Sequence, residues 1–388
     1  MVIMAKLAPW IKRLIIAWLL WRLGLWLVAG IADQFLLYQP SFPYADALLA
    51  NTHLPRWLYS WGNFDGVHYL TIAELGYLGT GSIQAFFPVF PLILKLLAWF
   101  SQPLLSGIVF NSLLTLLLLV AFYQLAKLDQ TQNKAWWSVL ALLAFPTSLF
   151  FGALYSESLF LILIIGSFWM ARKGRWWLAG SFALLASATR IVGILLVPAL
   201  LVEFWWQHRG ESWKKIITKS FHHLIGILLG CLGLGTYMFY LWKNFGDPLY
   251  FFHVQSEFGA GRQESLILLP QVIWRYLKIL WTARPFDWKY FSYLQDLLLS
   301  LGGLGALLVW WKKIRPSYLV FSLAAFILPT LTGTLSSMPR YLLVCFPLFM
   351  LLGEFYQKKL GWSYLLLTVS AILLIINTIL FVQGYWVA

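Results

Sequence analysis

Long apolar runs, separated by short loops that carry Lys and Arg, restrict the fold of this chain more than any other feature. Many runs reach the roughly 18 to 20 residues that an α-helix needs to cross about 30 Å of hydrocarbon. They are rich in Leu, Trp and Phe and do not alternate as barrel strands do. With a mean hydropathy of +0.77 and only 11% charged residues, the chain lacks the polar side chains that a soluble globule of this size requires. The sequence therefore predicts an all-α polytopic membrane protein.

The net charge of +14 does not indicate a nucleic-acid partner. The basic residues form short clusters at the ends of apolar runs, where they act as topology signals. Cys231 and Cys345 lie far apart inside apolar runs, so neither a disulfide framework nor a thiolate metal site is indicated. With a cytoplasmic N-terminus, the clusters predicted to be cytoplasmic are Lys127/Lys134, 172–175, 209–219, 312–315 and Lys358-Lys359.

This orientation predicts about eleven transmembrane helices, with the first apolar run retained as a helix instead of cleaved as a signal peptide. The predicted crossings are Leu14–Ala32, Leu104–Ala126, Ala135–Phe151, Leu159–Ala171, Trp176–Ile191, Ile194–Trp206, Phe221–Trp242, Tyr290–Trp311, Ser317–Leu335, Tyr341–Tyr356 and Trp362–Phe381. The run Phe86–Phe100 is too short to cross and carries Pro88, Pro91 and Lys95, which predicts a helix dipping into the outer leaflet.

The layout that follows is a single membrane domain over 1–388. It consists of a first helix at 11–32, a catalytic outer loop with interfacial helices at 33–103, a transmembrane core at 104–242, an outer loop at 243–289 and C-terminal helices at 290–388.

Acidic residues collect on the predicted outer side. Of the 14 in the chain, ten lie there: Asp33, Asp46, Asp65, Glu74, Glu157, Asp247, Glu257, Glu264, Asp287 and Asp296. Because acidic residues contribute little to topology, this bias indicates a binding or reaction site on that side. A simpler interpretation is that outer loops need solubility, and it is the one we favour for Glu257, Glu264, Asp287 and Asp296.

The polar stretch 60–77 contains the most informative local pattern. The residues around Gly62 favour a turn, Val67–Leu75 reads as a helix, and Gly76 is typical of its end. Asp65 then stands at the helix start, with His68 and Tyr69 one turn later on the same face. Spacing alone leaves a structural interpretation open, in which Asp65 only caps the helix.

At this point the residues resemble those of the GPI mannosyltransferase 2 (PIG-V-like) family. The first outer loop carries the pattern Trp61-x-x-x-Asp65-x-x-His68-Tyr69-x-x-Ile72-Ala73-x-x-Gly76-Tyr77, followed by Phe86-Phe87-Pro88-x-x-Pro91-Leu92. Later matches, in order, are Pro146-Thr147-Ser148, Tyr155-Ser156-Glu157-Ser158, Arg175 to Gly193, Gly246-Asp247-Pro248-Leu249 with Gln255, and Pro339-Arg340-Tyr341 with Phe346-Pro347-Leu348.

The resemblance implies the GT-C class of membrane enzymes, which take one sugar from a polyprenyl-phosphate donor on the extracytoplasmic face. It also implies interfacial helices in the first outer loop. One departure is Asn63 before Phe64-Asp65, where the family commonly has a basic residue, so one phosphate or acceptor contact differs. The GPI precursor itself is not implied as the acceptor.

Chemical reasoning gives roles to the matched residues. Transfer of a sugar to a hydroxyl requires a base, which we assign to Asp65, with Glu157 as a second catalytic carboxylate. Arg190 and Arg340 are expected to bind the departing phosphate, because a guanidinium offers paired donors to phosphate oxygens. The other expected substrate-binding residues are His68, Tyr69, Tyr155, Asp247 and Gln255.

The expected partners are a polyprenyl-phosphate-linked sugar, a lipid or glycan acceptor and membrane lipid. No metal site and no required cofactor are predicted, although Asp65 with His68 leaves a weak Mg²⁺ or Mn²⁺ site open as an alternative. The expected location is the bacterial plasma membrane, with the active site on the extracytoplasmic face. Three alternatives remain: a secondary transporter or flippase, a scaffold without chemistry, and a polysaccharide ligase or polymerase.

Overall fold

The computed structural model describes residues 8–40, 42–258, 262–263, 265–285 and 287–387, apart from the side chains of residues 213–220, 256 and 258. Within these residues all regular structure is helical and no strand is formed. The longer helices are Pro9–Phe35, Pro103–Ala126, Gln132–Ala144, Glu157–Arg172, Trp176–Ser187, Leu196–Gln207, Trp213–Leu228, Gly230–Phe245, Leu269–Thr282, Trp288–Val309, Pro316–Thr330, Pro347–Lys358 and Leu360–Val382.

Shorter helices lie between the longer ones. The α-helices among them are Arg56–Tyr59, Asp65–Leu75, Val89–Leu97, Tyr250–His253 and Met338–Leu342. Single turns of 3₁₀-helix stand at Ala50–Thr52, Ser60–Gly62, Ile83–Ala85, Ser148–Phe151, Ile191–Leu195, Val254–Phe258 and Trp311–Lys313, and Ala45–Leu49 forms a π-helix. The predicted dipping segment 86–100 thus contains a helix of nine residues, which is too short to cross a bilayer.

Every predicted crossing overlaps at least one helix, and the all-α polytopic prediction is confirmed. Among the described residues, five helical stretches are long and apolar enough to cross a membrane, namely Pro9–Phe35, Pro103–Ala126, Phe221–Phe245, Trp288–Val309 and Leu360–Val382. Shorter apolar stretches in the same part of the chain are Trp176–Ser187, Ile191–Gln207 and Pro316–Thr330. The protein is therefore a multi-pass integral membrane protein.

Two predicted boundaries are wrong at prolines, where one helix ends earlier and another starts later than hydropathy suggests. The crossing predicted at 135–151 ends at Ala144, since Phe145 precedes Pro146 and takes an extended conformation. The crossing predicted at 341–356 starts only at Pro347, after the short helix Met338–Leu342. Asp296, expected to serve solubility, is instead buried inside the helix Trp288–Val309 with 3% of its surface exposed.

The described residues form two compact units. The first comprises those of Met1–Glu74, Ile93–Ile162 and Phe349–Val387. In this unit the first helix packs against Leu360–Val382 and Pro103–Ala126. Buried amides tie loops to the last helix: the Asn377 amide donates to the carbonyl of Pro146 at 2.9 Å. These bonds fix loop backbone against transmembrane helices, where hydrocarbon offers no other partner.

The second unit comprises Leu75–Leu92 and Leu163–Leu348. Here Trp176–Ser187 packs against Trp213–Leu228 and Gly230–Phe245. Glycine allows this close approach, because a Cβ on Gly180 would overlap the carbonyl of Gly226. Small residues at such crossings let helix backbones pack tightly in a membrane.

A buried ion pair joins two further helices of the second unit, Leu196–Gln207 and Pro316–Thr330. Arg315 donates from Nε and Nη2 to the two carboxylate oxygens of Glu203, each at 2.7 Å, and the Ser317 hydroxyl donates to the same carboxylate at 2.6 Å. Bidentate pairing and the extra donor satisfy a carboxylate that has no exposed surface.

Candidate active site

The segment that carries Asp65 is held at a defined position in the first unit. The 3₁₀ turn Ser60–Gly62 leads into the helix Asp65–Leu75, and Gly76 with φ of 73° follows it. This confirms the predicted turn, helix and end. The side chain of Asn63 accepts from the Tyr38 hydroxyl at 2.9 Å and donates to the Phe381 carbonyl at 2.9 Å. Asn63 therefore anchors the backbone two residues before Asp65.

A second segment, 146–158, contacts this helix directly. The Tyr155 hydroxyl accepts the backbone N–H of Asp65 at 3.2 Å and donates to the Asn63 carbonyl at 3.1 Å. The Tyr69 and Ser156 hydroxyls are 3.0 Å apart. Glu157 follows as the first residue of the helix Glu157–Arg172 and is buried. The structure thus brings the segments bearing Asp65 and Glu157 together.

Polar residues of the helix Pro103–Ala126 support the second segment, and sequence reasoning missed them. The Asn111 amide donates to the carbonyls of Ala153 and Tyr155, the latter at 2.8 Å. Thr115 donates to the Phe151 carbonyl at 2.9 Å. The signal was present as Asn111 and Thr115, four residues apart in a largely apolar run, which places them on one helix face.

The ionisable residues of the helix Asp65–Leu75 differ in their exposure to solvent. Asp65 and His68 are half-buried, whereas Glu74 is exposed. Burial lowers the pKa of His68, and the nearby Asp65 carboxylate offsets part of that fall. His68 is therefore a neutral hydrogen-bonding group near pH 7, which can act on a phosphate or hydroxyl oxygen without carrying charge.

In the second unit, three arginines gather around one tyrosine. The guanidinium carbon of Arg190 lies 5.2 Å from the Tyr341 ring centre and that of Arg340 lies 6.0 Å away. Burial acts to raise the pKa of Tyr341, but Arg190, Arg340 and Arg262 together lower it below its usual value. Tyr341 belongs to the short helix Met338–Leu342, outside the long apolar helices. We call Arg190, Arg262, Arg340 and Tyr341 the arginine cluster.

The arginine cluster contains Arg190 and Arg340, the two predicted phosphate ligands, together with a third arginine, Arg262. That residue donates from Nη1 to the side-chain oxygen of Gln255 at 3.3 Å, so the predicted residue Gln255 adjoins the cluster. Arg340 is buried, with 5% of its surface exposed. Concentrated positive charge at a partly buried place favours an anion, and phosphate matches the paired donors of guanidinium groups.

The side chain of Asp247, in the loop after Gly246, bonds to groups of the turn that follows it. Its carboxylate accepts from the Leu249 backbone N–H at 2.8 Å and lies 2.6 Å from the Nδ1 atom of His253. Burial acts to raise the pKa of Asp247, but the bonds from His253 and Leu249 lower it overall. These contacts close the turn that begins the helix Tyr250–His253.

Across the described part of the chain, no group of three or more His, Cys, Asp or Glu side chains is arranged to hold a metal ion. The expected site residues form two sets. Asp65, Glu157, His68, Tyr69 and Tyr155 lie in the first unit, and Arg190, Arg340, Asp247 and Gln255 lie in the second.

These features define a polytopic membrane protein with carboxylates on loop segments of its first unit and clustered arginines in its second. The family model of Glycosyltransferase family 87 matches residues 87–347, and the chain belongs to that family. The matched residues include Glu157, Arg190 and Arg340, whereas Asp65 and His68 precede them.

A curated relative adds to this assignment. The GPI alpha-1,6-mannosyltransferase 2 of Cricetulus griseus is 32% identical over 160 residues, which are 38% of this chain and 31% of the relative. The similarity agrees with the family resemblance of the sequence motifs, although the chain spans less than a third of that relative's length. No solved structure matches the chain.

Proposed function

We propose that the protein moves one sugar, mannose, from a polyprenyl-phosphate donor to a hydroxyl of a lipid-linked or extracytoplasmic acceptor, with inversion at the sugar carbon. The position of Asp65 carries the proposal: its backbone N–H is bound by Tyr155, and Asn63, two residues earlier, is bound by Tyr38 and Phe381. These hydrogen bonds hold the start of the helix in place, so a carboxylate there has the fixed geometry that a general base requires.

The proposed step is a single displacement. Asp65 takes the proton of the acceptor hydroxyl while the acceptor oxygen bonds to the anomeric carbon, and the bond from that carbon to the phosphate oxygen breaks. Polyprenyl phosphate leaves with the bonding electron pair, so a phosphodiester of charge −1 becomes a phosphomonoester approaching −2. Glu157 is proposed to orient the acceptor or the sugar.

The arginine cluster supports the leaving-group half of this step. Three guanidinium groups stabilise a phosphate more as its charge grows, which favours the transition state over the bound donor. His68, Tyr69, Tyr155 and Gln255 are proposed to bind substrate oxygens, and the proposed reaction requires no metal. Mannose is suggested by the name of the relative.

The proposed location is a bacterial plasma membrane with the site on the extracytoplasmic face. Its support is the distribution of Lys and Arg among the short loops, which assigns 127–134 and 312–315 to the cytoplasm. Donor lipids would then enter from the bilayer.

The test is a transfer assay with purified protein in liposomes. A panel of polyprenyl-phosphate sugars is supplied with candidate lipid acceptors, and release of polyprenyl phosphate is followed together with sugar on the acceptor. We expect release with the mannosyl donor and none with nucleotide sugars. Movement of the intact donor across the bilayer without release would instead support the flippase alternative, and repeated addition of whole glycans would support a polymerase.

A further inference from the structure

A buried cation lies in the middle of the first transmembrane helix, away from the residues assigned above. Arg22 is the fourteenth residue of Pro9–Phe35 and only 2% of its surface is exposed. Its guanidinium carbon lies 4.8 Å from the ring centre of Trp26 and 4.8 Å from that of Trp61. We call Arg22, Trp26 and Trp61 the donor cluster.

The polar side-chain atoms of the donor cluster are all N–H donors. Nε, Nη1 and Nη2 of Arg22, and Nε1 of both tryptophans, are buried and make no hydrogen bond. A buried donor without an acceptor costs about 1 to 3 kcal/mol, and a charged one costs more. Arginine cannot escape this cost by losing its proton. A cluster made only of donors is therefore suited to an acceptor-rich anion.

Both loop segments of the candidate site contact the donor cluster. Trp61 stands four residues before Asp65, and its carbonyl accepts the backbone N–H of Leu154 at 2.9 Å. The guanidinium of Arg22 lies against Gly152, where an added Cβ would overlap Nη1. An anion on Arg22 would thus lie beside the segments that carry both proposed catalytic carboxylates.

The position of Arg22 in a membrane-spanning helix limits which anions can reach it. Arg22 belongs to a helix long and apolar enough to cross the bilayer, so a soluble anion would have to leave water to reach it. An anion attached to a lipid must also lose its water, but its chain already holds it in the bilayer, and pairing with Arg22 offsets the cost of that dehydration. Phosphate offers several acceptor oxygens to a planar guanidinium with paired donors, and indole N–H groups can supply further bonds.

We infer that Arg22, Trp26 and Trp61 form a binding site for the phosphate of a lipid-linked ligand. The inference rests on the proposed function in one respect, namely that the lipid is the polyprenyl phosphate of the donor. The donor cluster is then a lipid-phosphate site of the first unit in addition to the arginine cluster, which is proposed to act on the leaving group. The cation–π contacts then hold the guanidinium in place, while its N–H groups remain available for phosphate oxygens.

A purely structural role for Arg22 and a binding role predict opposite effects of its replacement on the stability of the ligand-free protein. If its contacts with the two tryptophans only support the fold, replacing it destabilises the ligand-free protein. If it is a binding group, Arg22→Met removes an uncompensated charge and leaves the ligand-free protein equally or more stable. If Arg22 binds the ligand, Arg22→Met lowers ligand affinity without lowering the melting temperature of the ligand-free protein. If Arg22 only supports the fold, any loss of affinity is accompanied by a lower melting temperature.

The experiment measures binding of sugar-free polyprenyl phosphate to protein in nanodiscs of neutral lipid, together with melting temperature. Wild type, Arg22→Met and Arg22→Lys are compared, with phosphatidylglycerol as a second probe. We expect Arg22→Met to weaken polyprenyl phosphate binding about 10- to 100-fold, the usual effect of losing hydrogen bonds to a charged group. Arg22→Lys should lose less, since it keeps the charge without the paired geometry.

Gly152 provides an independent variant that leaves the arginine in place. Gly152→Ala should displace the guanidinium and weaken binding in the same way. Gly24→Ala on the same helix is the matched control, because nothing lies within 4 Å of an added Cβ there. Equal weakening by both alanines would overturn the inference.

The outcomes separate this inference from the proposed function. Wild-type affinity in Arg22→Met, or a lower melting temperature with affinity unchanged, overturns the lipid-phosphate site alone. A wild type that binds no polyprenyl phosphate contradicts the proposed function. Arg22-dependent binding of phosphatidylglycerol in that case would support the phosphate site and identify a bilayer lipid as its ligand.

Discussion

The hydroxyl of Tyr155 accepts the backbone N–H of Asp65 at 3.2 Å, across 90 residues of sequence. The same hydroxyl donates to the Asn63 carbonyl at 3.1 Å. The Tyr155 hydroxyl therefore bonds both the backbone N–H at the start of the helix Asp65–Leu75 and the Asn63 carbonyl two residues earlier. The orientation of Asp65 depends on the loop that also carries Glu157.

Tyr155→Phe removes this connection while keeping the ring. Two backbone groups each lose one hydrogen bond, which should destabilise the fold by about 1 to 3 kcal/mol. We expect kcat to fall more than donor affinity, because the change acts on the base and leaves the arginines in place. Thermal unfolding and steady-state transfer kinetics measure the two effects. Tyr364→Phe, at a side chain with 62% exposure, is the control. A stable variant with normal kcat would show that the link does not position Asp65.

The local part of the site could be predicted from sequence, and its long-range part could not. The turn, the helix from Asp65 and the stop at Gly76 follow from short-range backbone preferences. Asn111 escaped prediction because its acceptors lie more than 40 residues away. Arg22 looked like one charge within an apolar run, and only the contact with Trp61 shows its setting. Prolines shifted helix ends that hydropathy alone places too late.

Arg262 should matter for the leaving group although no motif indicated it. Arg262→Gln removes one of three cations near the proposed phosphate, which should lower kcat about 10²-fold, the typical effect of removing one preorganised donor. Inhibition by the product polyprenyl phosphate should weaken more than donor binding, because the product carries more charge. Arg284→Gln, at an exposed arginine of the same outer loop, is the matched control. Equal effects of the two variants would remove Arg262 from the phosphate site.

His68 should make the protein acid-sensitive. Its pKa is lowered in the folded state by burial, so the unfolded chain binds the proton more readily. Stability is therefore complete above the unfolded pKa of about 6.5 and is lost as pH falls toward the folded pKa, by at most about 1.4 kcal/mol per pH unit. His68→Gln should reduce the drop in melting temperature between pH 7.5 and 5.5. His53→Gln, at an exposed histidine, should leave the drop unchanged. An identical drop in both variants would contradict this assignment.

The orientation of the chain can be tested at exposed loop positions. We expect the 127–134 loop in the cytoplasm and the 86–100 segment within the outer leaflet, from the basic clusters and the nine-residue helix. Asn133→Cys and Ser101→Cys place single thiols at exposed sites, in a background where the exposed Cys231 is replaced by serine. An impermeant thiol reagent added to intact cells should label Cys at 101 and not at 133. Labelling at 133 would reverse the topology.

Asp65→Asn tests the base directly. Asn retains the size of the side chain and can still cap a helix, but it cannot take the acceptor proton. If Asp65 is the general base, transfer should fall by about 10² to 10⁴, the usual contribution of a positioned base. Donor affinity should change little, because the proposed phosphate contacts remain.

Glu74→Gln on the same helix supplies the control for Asp65→Asn, since it removes one carboxylate that is fully exposed to solvent. It should leave transfer unchanged, which excludes a general effect of net charge. If Asp65 acts only as a cap, Asp65→Asn should be nearly as active as wild type, whereas Asp65→Ala should lose stability by about 1 kcal/mol. That pattern would refute general-base catalysis by Asp65, because the folded helix and the phosphate contacts would then be sufficient for transfer.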